Sequence, residues 1–143
     1  MNNFIFENST KVFFGKGCVK EYLSCWAGKF GERVLLAYGG CSIKKNGIYE
    51  EVTSILEKAG KTVIEFSGIM ANPTYEKVLE GAKIARENEV DWILGIGGGS
   101  VMDCCKAVSL AAISKKDIWK EYWAKPGTVS YTHLRAHETR GNL

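Results

Sequence analysis

No stretch of the 143 residues approaches the run of about 18 apolar residues that a membrane span needs. Nor does the N-terminus carry a basic region followed by an apolar stretch, so no signal peptide is visible. An excess of one charge is missing too. Lys plus Arg number 19 and Asp plus Glu 16, a net +3 scattered along the chain. That argues against a nucleic-acid surface. Paired cysteine spacing is absent: the five cysteines, at 18, 25, 41, 104 and 105, include no Cys-x-x-Cys. A disulfide framework or zinc knuckle is therefore not expected, and the simpler reading is reduced thiols in a cytoplasmic protein. Apolar residues make up 45% and charged ones 24%, a globular balance that argues against disorder and low complexity. The length allows one domain with a real core.

What is present is an alternation of strand and helix signals. Residues 10–15 read as a β-branched and aromatic strand stopped by Gly15. Val19, Tyr22, Leu23 and Trp26 recur at helical spacing until Gly28. Residues 33–38 form a short continuous apolar run, as in a strand buried on both faces. Ile48, Val52, Ile55 and Leu56 mark a helix closed at Ala59-Gly60, and residues 61–66 the next strand. Asn72-Pro73-Thr74 opens a helix with Tyr75, Val78, Leu79 and Ala82 inward. Residues 91–96 are a further buried strand, followed by an apolar helix from Val101 to about Ile113. This order predicts an α/β fold: a doubly wound, mainly parallel sheet with helices on both faces. Residues 117–123 can form a short helix with Ile118, Trp119, Tyr122 and Trp123 along one side, and from about Val129 all periodicity disappears.

Two glycine clusters follow strands, at the sheet edge where such folds bind ligands. Gly97-Gly98-Gly99-Ser100 lies between a buried strand and a helix. Glycines let a phosphate approach the backbone, and a helix start offers free N–H groups and the favourable end of the dipole. Ser100 reads as the N-cap and Asp103 as its capping-box partner, or as a group fixing a cofactor or an ordered water. The loop thus suits a pyrophosphate, although neither the Gly-x-Gly-x-x-Gly spacing nor a Gly-Lys-Ser/Thr ending is present. A tight turn before a capped helix is the bland alternative. The other cluster, Gly39-Gly40-Cys41-Ser42, precedes Lys44 and Lys45. Small residues, a hydroxyl and two lysines leave room and positive charge for a ribose 2′-phosphate. The alternative there is an ordinary turn with surface lysines.

Several segments together resemble the iron-containing alcohol dehydrogenases, close to their butanol dehydrogenase branch. They are Thr10-Lys11-Val12-Phe13-Phe14-Gly15-Lys16-Gly17, the run from Tyr38 to Tyr49, Asn72-Pro73-Thr74, and Gly97-Gly98-Gly99-Ser100-Val101-Met102-Asp103-Cys104-Cys105-Lys106-Ala107. Order and spacing agree from about residue 4 to residue 125. The resemblance implies a Rossmann-like NAD(P)-binding domain over residues 1–125. Gly97, Gly98, Gly99 and Ser100 would hold the pyrophosphate. Gly39, Gly40 and Ser42 would lie near the adenosine ribose, with Asn72 and Asp103 as outer cofactor contacts. Gly39 stands where NAD-specific relatives carry Asp, which tilts towards NADP.

In that family a second, helical domain supplies an Asp and three His for iron or zinc, and a Thr-Gly-Ser-Glu loop lies by the nicotinamide. Neither is found in this sequence, so no catalytic and no metal residue is assigned. The pattern breaks near Pro126-Gly127, and residues 126–143 are expected to be an unstructured, foreign tail. The pair His133 and His137 falls in that tail and is not taken as a metal site. The resemblance implies hydride transfer between nicotinamide and a small primary alcohol or aldehyde. Iron or zinc is expected in the full-length enzyme only, the fragment itself is expected to be inactive, and a homo-oligomer is left open. The alternatives are a free-standing nucleotide-binding module, or a piece of a glycerol dehydrogenase- or dehydroquinate synthase-like enzyme.

Overall fold

A computed structural model describes residues 10–114 and 116–120, and the backbone of 136–139. A π-helical turn, Val19–Leu23, runs into α1 (Ser24–Ala27). Then come β1 (Arg33–Tyr38), α2 (Ser42–Lys45), α3 (Ile48–Lys58), β2 (Thr62–Phe66), α4 (Tyr75–Glu87), β3 (Trp92–Ile96), α5 (Gly99–Ile113) and β4 (Ala136–Thr139). Among the described residues the strands pair in the order β2-β1-β3-β4, all parallel.

The layers follow from the two-residue period of β1. Leu35 and Ala37 face one side and join Ile93, Ala82, Val101, Cys104, Cys105 and Val108 under α4 and α5. Val34, Leu36 and Tyr38 face the other and join Leu23, Ala27, Val52 and Leu56 under α1 and α3. Helices thus cover both faces, and the central strands can be apolar throughout. The rotation of α3 and α4 is set by their apolar stripes. Thr74 starts α4, its Oγ1 accepting from the Lys77 N–H at 3.3 Å.

Two sequence expectations are corrected. Residues 10–15 form no strand; Val12 and Phe14 are 80% and 91% exposed. Their β-branched and aromatic character suits a strand, but no described strand runs beside them. Leu79 is 42% exposed, and Gly81 and Ala85 join the buried face of α4 in its place. Within residues 126–143, the backbone of Ala136–Thr139 pairs with β3, in the register Ile93↔Ala136 to Ile96↔Thr139. An open strand edge can be satisfied by any backbone, whatever its side-chain pattern. The other residues of 126–143 lie outside the described residues, as do Tyr122 and Trp123.

Candidate functional site

β1 and β3 are neighbours, and Tyr38 pairs with Ile96 at their last positions. The chain therefore leaves both strands at the same height. From β1 it crosses through α3 to β2 on one side, while β3 lies on the other. That reversal opens a crevice at the carboxyl ends of the two strands. The loops 39–42 and 97–100 stand on either side of it. Backbone bonds tie the turn after β2 to this edge: Gly68 N–H donates to Gly39 O at 2.9 Å, and Ile69 N–H to Tyr38 O at 3.2 Å.

The three glycines of 97–99 are not equivalent. A Cβ on Gly97 would come within 2.5 Å of Val101 Cγ2 and 2.9 Å of its Cβ. Gly97 is therefore demanded by the packing of α5 on its own loop. A Cβ on Gly98 or Gly99 would meet nothing within 4 Å, so both face open space. The N-cap of α5 is Gly98, with no side-chain cap. The expected Ser100 cap and its Asp103 capping box are not formed. The helix begins earlier, from an extended Gly98, and Ser100 becomes its second residue. The Ser100 hydroxyl instead accepts the Asn72 N–H at 3.4 Å. Asn72 sits in the left-handed region at φ 54, which Asn tolerates better than most residues. Among the described residues the N–H groups of Gly99 and Ser100 meet no acceptor, leaving two donors at the positive end of a 15-residue helix.

Asp103 is exposed one turn along α5. It shares a cleft of about 250 Å³ with Pro73, Tyr75, Val78, Cys104, Ala107 and Trp119. Tyr75 and Trp119 meet edge to face at 5.8 Å between ring centres. Burial pushes the Cys104 thiol up, so it packs as a small apolar group rather than a nucleophile.

On the opposite loop, Gly40 and Ser42 are exposed, Ser42 opening α2. Gly39 is more confined. A Cβ there would stand 3.0 Å from the Ile69 carbonyl oxygen. Glycine at 39 therefore has a packing reason of its own. The expected site residues thus fall into two groups across one crevice, Gly39, Gly40 and Ser42 facing Gly97, Gly98, Gly99, Ser100 and Asn72, with Asp103 in the adjoining cleft.

Sequence reasoning misses one cluster beside this crevice. Tyr38 Oη and Tyr49 Oη both donate to the carboxylate of Glu65. Lys44 Nζ lies 3.6 Å from Glu65 Oε2 and 4.5 Å from the centre of the Tyr49 ring. The two hydroxyls hold the Glu65 carboxyl below its ordinary value, with Lys44 helping. The Glu65 hydrogen bond and burial push the Tyr49 phenol up to about 12. The one available signal is a lone carboxylate in the otherwise apolar strand Val63-Ile64-Glu65-Phe66.

A parallel sheet with helices on both faces and a reversal of strand order beside β1 defines a Rossmann-like α/β type of domain. The sequence profile of the iron-containing alcohol dehydrogenases matches residues 9–136, and the chain belongs to that family. It is 44% identical over 119 residues to a probable NADH-dependent butanol dehydrogenase 2 of Bacillus subtilis, covering 83% of this chain and 30% of that protein. It is 41% identical over 115 residues to the NADPH-dependent aldehyde reductase YqhD of Escherichia coli, covering 78% and 28%. The crystal structure of NADH-dependent butanol dehydrogenase A from Thermotoga maritima superposes with a TM-score of 0.81 at 38% identity, over 95% of this chain and 34% of that one. The chain thus spans about 30% of the length of the curated relatives it matches. The family is named for iron, but among the described residues no group of three or more His, Cys, Asp or Glu could hold a metal ion. The residues described do not fit that metal. No helix among them is long and apolar enough to cross a membrane.

Proposed function

We propose that this chain is the coenzyme-binding part of an NAD(P)-dependent alcohol dehydrogenase or aldehyde reductase acting on small primary alcohols and aldehydes in the cytoplasm. The observation that carries the reading is the start of α5: two unhindered glycines, Gly98 and Gly99, and two N–H groups without acceptors at the strand-reversal crevice. There the N–H groups of Gly99 and Ser100 take the pyrophosphate. Gly39, Gly40 and Ser42 line the adenosine side. Asn72 braces the loop by donating to Ser100 Oγ. Asp103 and the walls of its cleft border the approach from α5. The bound nicotinamide supplies the hydride acceptor or donor. The chain's own residues hold and orient it, and no described residue is assigned to proton transfer or to metal binding.

The experiment is a titration of the 143-residue chain with NADH and with NADPH, followed by nicotinamide fluorescence. The expected result is saturable binding of at least one coenzyme, with no oxidation of it on adding butanal. Absence of binding at millimolar coenzyme refutes the reading. Turnover of butanal above a metal-stripped blank refutes the assignment of the chain to coenzyme binding alone.

Residues 126–143 are proposed to be foreign to the family, against the reach of its profile to residue 136. Sequencing the gene through codon 126 and beyond tests this. A frame continuing into a Thr-Gly-Ser-Glu loop and an Asp with three His supports it, and a frame that stops after Leu143 counts against it.

A further inference from the structure

Lys44 and Lys45 are the cations that follow the loop 39–42, and both were expected to lend charge to a 2′-phosphate. The structure gives Lys44 a different partner. Its ammonium stands 3.6 Å from Glu65 Oε2, over the Tyr49 ring at 4.5 Å and the Tyr38 ring at 5.6 Å. The carboxylate is itself fixed from two sides, accepting both tyrosine hydroxyls. Tyr38 is the last residue of β1, Tyr49 lies in the first turn of α3, and Glu65 is on β2. Two strands and the helix between them thus hold one anion beside α2, the four-residue helix that carries both Ser42 and Lys44. NADH and NADPH differ only in the 2′-phosphate. The charge that α2 presents is therefore a term that separates the two.

We infer that Glu65 is a coenzyme-specificity determinant, which by pairing with Lys44 withholds that lysine's charge from a 2′-phosphate bound at loop 39–42. The inference rests on the coenzyme reading above. Glu65 need not touch the coenzyme; it acts through Lys44 and is a positioning residue. A glutamine at 65 keeps the length and an acceptor for a tyrosine hydroxyl, and removes the charge. Because the Glu65 side chain is 43% exposed, the substitution imposes no buried vacancy.

The test measures the dissociation constants of NADPH and NADH for the 143-residue chain, for E65Q, for K44Q and for the double variant K44Q/E65Q, at low and high salt. A loss of fold or of loop order moves both coenzymes together and leaves their ratio alone. The expected result is that E65Q lowers the NADPH-to-NADH ratio of dissociation constants about threefold at low salt, the size of a partly exposed charge contact. High salt shrinks the change, and in the K44Q background it is largely lost. An unchanged ratio in E65Q, or an equal change with and without Lys44, overturns the inference while leaving coenzyme binding intact. If the unaltered chain binds neither coenzyme, the coenzyme reading and this inference fall together.

Discussion

Gly97 and Gly99 stand two residues apart and serve different ends. The first has Val101 against its α-carbon, and the second has empty space. Gly97→Ala is therefore expected to lower stability by about 1–3 kcal/mol, the usual range for overpacking, read as a lower urea midpoint. Gly99→Ala is expected to leave that midpoint unchanged or raised and to weaken NADH binding at least severalfold, read by fluorescence titration. Equal loss of stability in both variants would refute the division. The Tyr49–Glu65 pair carries a pH prediction. Tyr49 is raised to about 12 by the Glu65 bond, so its contribution is full below the ordinary phenol value near 10 and lost as pH rises through about 12. Glu65 is lowered by its two hydroxyl donors, so its contribution is present above the ordinary glutamate value and lost as pH falls below it. In Tyr49→Phe both dependences weaken; melting temperatures across pH read this. An unaltered profile would show that the pair does not couple to folding.

Elements differ in how openly their sequences declare them. β1 and β3 are legible because a run such as Val34-Leu35-Leu36-Ala37 has only one stable home, between two helical layers. α3 and α4 are legible from their stripes, and Thr74 from its capping chemistry. Less legible is where α4 meets α5. There a Cβ on Gly81 would lie 2.8 Å from the Phe66 ring and from Val108 Cγ2, so the glycine sets how closely the helices approach. Gly81→Ala gains about 1 kcal/mol of helix propensity against about 1–3 kcal/mol of overpacking. The net expectation is a destabilised protein with a lower urea midpoint. A stabilised variant would mean that Phe66 and Val108 yield without cost. The Ser100 cap is not formed because α5 starts one residue ahead of the serine, at Gly99, with Gly98 as its N-cap; cap preferences rank residues at a given helix start and do not place that start.

At the scale of the whole molecule, large apolar side chains are exposed among the described residues. Phe14 is 91% exposed, and Trp119, beside the Asp103 cleft, 54%. Where such exposed aromatics lie on a contiguous apolar face, that face is made to be covered. A chain that is part of a larger enzyme is therefore expected to bind an apolar dye in its folded state, and a free-standing module is not. Dye fluorescence that rises only on denaturation would favour the module. Native fluorescence reduced by Trp119→Ser would place the uncovered surface at the cleft.

The sequence alone is enough for the fold class, for the two loops at the carboxyl edge and for the family, because burial on both faces and glycine before a helix leave local marks. Tertiary structure decides the rest. Which glycine is open to a ligand and which is closed by Val101 depends on α5 folding back over its own loop. Whether Lys44 offers its charge or spends it depends on Glu65, 21 residues further along the chain and next to Lys44 only because β2 pairs with β1. Local sequence records what a residue can do; the contacts that select among those options are made by residues far away in the chain, and only packing brings them together.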